Sequence, residues 1–229
     1  MWGNIFIELL GVRPLDELIN PTKRDWVTEL YGDPGALLLL AHNILVYRSL
    51  FGEVYAVLNL EFGGVDTLYL VKICRIYDCD LSKIYISRAF RSQDTVEILK
   101  SLENVRDSTI VLIFPYNYLP QDPAKYHEAT RITGIISRIS LSNTVILLNT
   151  ITRFGSRNPE GGSLHHHLVK IILRIVDRGE WLIAELIKHP VKSLGEKRIF
   201  SKKILSNPLP TTKQRTILEW VANRVREAK

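Results

Sequence analysis

Cysteine and methionine are scarce in this 229-residue chain, which has two of the first and one of the second. Two thiols, Cys74 and Cys79, make neither a disulfide scaffold nor a four-cysteine zinc site. A local bridge between them is open, and two unpaired core thiols are the plainer expectation. Long hydrophobic runs are also missing. The most apolar stretch, residues 36–46, is interrupted by His42 and Asn43 and falls short of the roughly 20 residues that a membrane span needs. No basic run leads into an apolar core and a small-residue cleavage site, so no secretory leader is read. The expectation is a cytoplasmic protein with no membrane partner. Internal repeats, low-complexity segments and a dividing linker are absent too, so residues 1–229 read as one domain.

Hydrophobic residues make up 46% and charged residues 24%, the balance of a folded globular protein. It excludes a disordered chain, a collagen-like repeat and a coiled coil. The charge is uneven. Residues 1–115 hold 11 Lys and Arg against 15 Asp and Glu, whereas residues 116–229 hold 19 against 9. A basic second half points to an anionic partner, nucleic acid being the commonest, because phosphate contacts release counterions. An ordinary solvated surface is the competing explanation.

Apolar runs and turn residues alternate in the manner of an α/β protein with a largely parallel sheet. Strands are expected at 26–31, 54–60, 83–87, 109–114 and 144–148, and helices at 36–50, 65–77, 94–102 and 124–141. Residues 109–114 form a continuous apolar run between Ser108 and Pro115, as in a strand buried on both faces. Residues 153–162 read as a polar loop. Three consecutive strands follow at 168–176, 181–188 and 198–204, the first two joined by hairpin chemistry at Asp177-Arg178-Gly179-Glu180. Residues 211–227 form an amphipathic pattern with Ile217, Leu218, Val221 and Val225 on one face, within a basic tail from about 206 to 229.

Several segments in this order resemble the RecA-type ATPase core, archaeal RadA recombinases in particular. Thr28-Glu29-Leu30-Tyr31-Gly32 with Leu40-Ala41-His42 is similar to the phosphate-loop region. Leu60-Glu61 resembles the strand end that carries the family's catalytic glutamate. Ile84-Tyr85-Ile86-Ser87-Arg88-Ala89-Phe90 resembles the following strand. Gly161-Gly162-Ser163-Leu164 through His167 resembles the end of the second DNA-binding loop. The resemblance covers roughly residues 10–205. It implies a RecA-like core with antiparallel strands near the C-terminus and a final amphipathic helix.

The departures from the family pattern fall where ATP chemistry is done. A working phosphate loop reads G-x-x-x-x-G-K-[ST]. Here Gly32-Asp33-Pro34-Gly35 runs into Ala36 and Leu37 to Leu40, without lysine or hydroxyl. Pro34 removes a backbone donor, and Asp33 adds a negative charge. The strand that should end in a magnesium-holding aspartate ends Ile113-Phe114-Pro115, and the sensing glutamine corresponds to Thr150. The Arg-Pro pair that packs on adenine is missing after Glu61. The resemblance therefore implies a pseudo-ATPase, non-catalytic and without ATP or magnesium as cofactor. Glu61 and His167 are vestigial matches, plainly readable as a strand-end carboxylate and a satisfied strand histidine. His165-His166-His167, on a strand, would offer a metal only His165 and His167, with no carboxylate or thiol beside them.

The loops that face DNA in the family keep basic and aromatic residues. Lys125 lies in the first loop, with Tyr116, Tyr118 and Tyr126. Arg153, Phe154 and Arg157 lie in the second. Such residues suit single-stranded DNA, through phosphate contact and base stacking. Lys202 and Lys203 extend a basic cluster with Lys197 and Arg198, which equally suits a solvated strand edge. The expected function is that of a RadA paralogue acting as an accessory factor in recombination and DNA repair, with single-stranded DNA, the recombinase or another paralogue as partner. Alternatives are a divergent RecA-like ATPase, a pure protein-interaction subunit, or a signalling protein related to clock ATPases.

Overall fold

The computed structural model describes residues 8–61, 63–120, 126–152 and 157–206. In chain order these form α1 (Arg13–Ile19), β1 (Thr28–Gly32), α2 (Pro34–Ser49), β2 (Val54–Leu58), α3 (Thr67–Tyr77), β3 (Ile84–Arg88), α4 (Ser92–Ser101), β4 (Thr109–Ile113), α5 (His127–Ser140), β5 (Thr144–Asn149), α6 (Gly162–Leu168), β6 (Ile171–Arg178), β7 (Trp181–Lys188), β8 (Lys197–Ser201) and α7 (Lys203–Ser206).

The strands make one eight-stranded sheet in the order β3-β2-β4-β5-β1-β6-β7-β8. All pairings from β3 to β6 are parallel, and β7 and β8 are antiparallel additions. Successive side chains of a strand point to opposite faces, and both faces of the central strands are covered. Val111 and Ile113 of β4 join Ile146 and Leu148 of β5 in the core beneath α2 and α3. Ile110, Leu112, Val145 and Leu147 join the other core, with Ile132, Ile135, Ile136 and Ile139 of α5. α2 is buried along most of its length, whereas α5 turns a clear isoleucine stripe to the sheet.

The α/β architecture expected from the sequence is present, and three local readings are corrected. The residues before the sixth strand form α6, not strand: Gly161 and Gly162, at φ 122° and 79°, turn the chain, and the His165 side chain is drawn inward by buried partners. The three histidines thus stand on a helical turn. Cys74 and Cys79 form a disulfide rather than two free thiols. α3 stops at Tyr77, and Asp78, with φ 56° in the left-handed region, folds the chain back. The Cys79 N–H then bonds the Cys74 carbonyl at 3.1 Å. The N-terminal α1 was not foreshadowed. Its Asp16 carboxylate accepts the N–H groups of Leu9 and Leu10, each at 2.8 Å, and of Val12 at 3.1 Å. Burial nevertheless pushes that carboxyl up to about 7. The tail expected to be helical lies outside the described residues.

No described helix is long and apolar enough to cross a membrane.

Candidate functional site

The turn after β1 is built by packing and capping. Gly32 has φ 146°, and a Cβ there would lie 1.9 Å from the Ile175 carbonyl oxygen of β6. The close approach of two strands therefore requires glycine at this position. Asp33 is the N-cap of α2, its Oδ1 accepting the N–H of Gly35 at 3.0 Å and of Ala36 at 3.1 Å. Pro34, in the first helical position, has no N–H to offer. The donors that would cradle a phosphate are thus taken by the chain's own carboxylate or absent. Leu37 and Leu40 are fully buried, while Leu38 and Leu39 pack against the core half-buried.

Among the described residues the neighbouring strand ends carry no carboxylate pair. Beyond β2, the Asn59 amide donates to Thr95 Oγ1 at 2.6 Å and to the Pro115 carbonyl at 3.3 Å. The Asn117 amide donates to the Asn59 carbonyl at 3.0 Å. Phe114 turns the chain out of β4 at φ 55°. An amide knot therefore occupies the corner beyond β2 and β4. Glu61 is exposed on a loop clamped by Arg88, which donates to the Leu60 carbonyl at 2.9 Å and the Gly63 carbonyl at 2.8 Å. β4 and β5 separate that loop from β1. Thr150 follows β5, its N–H held by Asn149 Oδ1 at 2.9 Å. Among the described residues no three His, Cys, Asp or Glu side chains group to hold a metal.

A buried polar chain on the α5 side of the sheet was not evident in the sequence. Glu29 of β1 is wholly buried. Its Oε1 lies 2.7 Å from His165 Nε2 and 2.7 Å from the Asn149 amide. His165 Nδ1 is 2.8 Å from the Tyr116 hydroxyl, which is 2.9 Å from Thr133 Oγ1. Burial drives the Tyr116 phenol far above its ordinary value, so it remains a proton donor. Tyr126 donates to Glu160 and accepts the Gly161 N–H at 3.0 Å. These contacts tie together the two loops expected to face DNA. His165, rather than His167, is the satisfied histidine; His167 is exposed. A glutamate beside Leu30 in a strand expected to be buried was the available signal.

Between the loops lies a pocket of about 400 Å³, with Tyr126, Asn158, His166 and His167 among its walls. Burial, then the nearby Lys188 charge, lowers the His166 pKa. Arg157 is exposed beside this pocket's Asn158. Lys125, Arg153 and Phe154 lie outside the described residues. In the second basic cluster, Lys202 pairs with Asp177 at 2.6 Å, Lys197 with Glu185 at 3.4 Å and Arg198 with Glu196 at 2.8 Å. Lys203 opens α7 exposed. The cluster is brought together with acids, not left as a bare cationic face.

No protein-family model and no curated protein sequence matches the chain. Among solved structures, it is similar to the crystal structure of the RadB recombinase, with a TM-score of 0.68 and 19% identity over 85% of this chain and 96% of that one. The fold is RecA-like. In a RecA-like sheet, ligands are expected at the carboxyl ends of the parallel strands, where connections diverge to opposite faces. Here α2 leads from β1 across one face, and α6 leads from β5 over β1 to β6 on the other. The Asp33 turn stands at the carboxyl end of β1, and the Glu29–His165 chain joins β1 to α6 on the other face.

Proposed function

We propose that this chain is a non-catalytic RecA-like pseudo-ATPase that acts as an accessory factor in homologous recombination or DNA repair, binding single-stranded DNA, a recombinase, or both. The observation that carries this reading is the Asp33 cap, whose Oδ1 occupies the Gly35 and Ala36 donors. Phosphoryl transfer depends on positioned cations and donors around the phosphates. A turn that offers an anion in their place, with neither lysine nor hydroxyl, has the wrong charge for it. The RadA-like segments quoted above and the RadB likeness support recombination as the setting.

A protein-interaction subunit without DNA binding is the second reading. The pairing of Lys197, Arg198 and Lys202 with carboxylates favours it, because a neutralised cluster releases few counterions.

The test is turnover of Mg–ATP by the purified chain, beside Glu61→Gln. Equal, background-level rates in both are expected. Turnover in the parent that disappears in the variant overturns the pseudo-ATPase reading.

A further inference from the structure

We propose that the cleft over the ends of β1, β5 and β6 binds a single carboxylate through Arg174. The cleft has a volume of about 430 Å³, and its walls include Gly32, Asp33, Thr150, Ile151, Arg174 and Asp177. Arg174 Nε is shut off from solvent with no hydrogen-bond acceptor. Among the described residues the Arg174 guanidinium makes no hydrogen bond or ion pair. A guanidinium carries five N–H donors in a rigid fork, and leaving buried donors unmatched is costly. The residue therefore stands ready for an acceptor that the chain does not supply.

Three of the nearby acids are engaged elsewhere, and the fourth, Glu29 of β1, holds His165 and Asn149 through Oε1 while its buried Oε2 forms no ion pair with Arg174. Asp33 caps α2. Asp177 accepts from Lys202 at 2.6 Å and from the Gly179 N–H at 2.9 Å. Glu185, opposite Arg174 in the β6–β7 register, pairs with Lys197 at 3.4 Å. On the other side the β1 partner is Tyr31, which brings a phenol and no charge.

The same inventory selects the ligand. A triphosphate would bring several negative charges to one guanidinium between two rim carboxylates, Asp33 and Asp177. A carboxylate brings one charge and the two coplanar oxygens that match the arginine fork. Ile151, 42% exposed, gives the cleft an apolar lip. The carboxylate can come from a free organic acid or from a Glu side chain flanked by apolar residues on a partner protein. The inference does not depend on the DNA reading, since Arg174 is not among the residues read as DNA-facing.

The experiment is titration of the ¹⁵N-labelled full chain, followed through the backbone signals of Gly32, Thr150 and Ile151 at constant ionic strength. The probes are butyrate, a blocked Leu-Glu-Leu tripeptide, and ATP without metal. Saturable shifts with butyrate or the tripeptide are expected, weakened about tenfold or more in Arg174→Gln and unchanged in Arg75→Gln. Dispersed spectra of both variants report that they are folded. Tighter binding of the tripeptide assigns the site to a partner's side chain, and equal binding assigns it to a free acid. The proposal is overturned by the absence of saturable shifts with either carboxylate, by shifts that survive Arg174→Gln, or by ATP binding the same signals more tightly.

Discussion

His42 Nε2 accepts the backbone N–H of Asp66 at 2.8 Å, and His42 Nδ1 donates to the Leu38 carbonyl at 2.6 Å. One imidazole, in one tautomer, joins α2 to the N-cap of α3. An acceptor at Nε2 requires the neutral ring, and burial lowers the His42 pKa. The unfolded chain takes up the proton more readily than the folded one. This contribution to stability is therefore complete above the ordinary histidine value of 6.5 and is lost as pH falls through the lowered folded value. His42→Leu leaves the Asp66 N–H without its acceptor and should cost about 1–3 kcal/mol. It should also remove that acid-side slope, as read from urea unfolding across pH.

Asp16 acts with the opposite sign. Burial raises its carboxyl from 3.8 to about 7, so the folded state binds this proton more tightly than the unfolded chain. The associated stability is fully present below 3.8 and is lost as pH rises through about 7. Urea midpoints of the parent should decline over that window. The decline should be shallower in Asp16→Asn, which has no proton to lose.

The first turns of α2 make a graded test of packing. Leu37 and Leu40 are fully buried, and truncating either to alanine should cost about 2–5 kcal/mol. Leu39 only borders the core and should cost visibly less. Equal losses at all three positions, measured by equilibrium denaturation, would contradict this gradient.

Salt dependence tests the DNA reading. Each phosphate contact on a single strand contributes a slope of about −0.7. Arg157→Ala should flatten the anisotropy-derived slope for an oligo-dT by about 0.7, and Arg153→Ala with Arg157→Ala by about 1.4. Phe154→Ala should weaken binding at nearly constant slope, because stacking displaces no counterion. Absence of binding at low salt favours the protein-interaction reading.

The elements that were legible in the sequence are those whose pattern is local. Residues 110–113 are an unbroken apolar run behind Thr109, and all five positions are buried. Residues 181–188 follow the hairpin turn at 177–180 and form β7 over that same span. α6 was not legible, because Gly161-Gly162 followed by three histidines has neither helical nor strand periodicity. Its geometry is set by Glu29, 136 residues away from His165 in sequence. The disulfide depended on Asp78 adopting a left-handed turn, which spacing alone does not disclose. Arg174 is one polar residue within the strand expected at 168–176. Its interest comes from Asp33, Asp177 and Glu185 being already engaged, a relation among β1, β6, β7 and the Lys202 turn. The absent lysine and hydroxyl of the phosphate turn could be read directly, but Asp33 read as a repelling charge and stands instead as a helix cap.

That cap has a consequence for how such a turn responds to its surroundings. Asp33 is fixed to the same chain as the Gly35 and Ala36 donors that it holds, so its effective concentration there does not fall on dilution. A free phosphate must displace a tethered competitor that is always present. On the function proposed above, the occupancy of this corner is then indifferent to the cell's energy charge. The protein would answer to the abundance of its partners rather than to the supply of nucleotide.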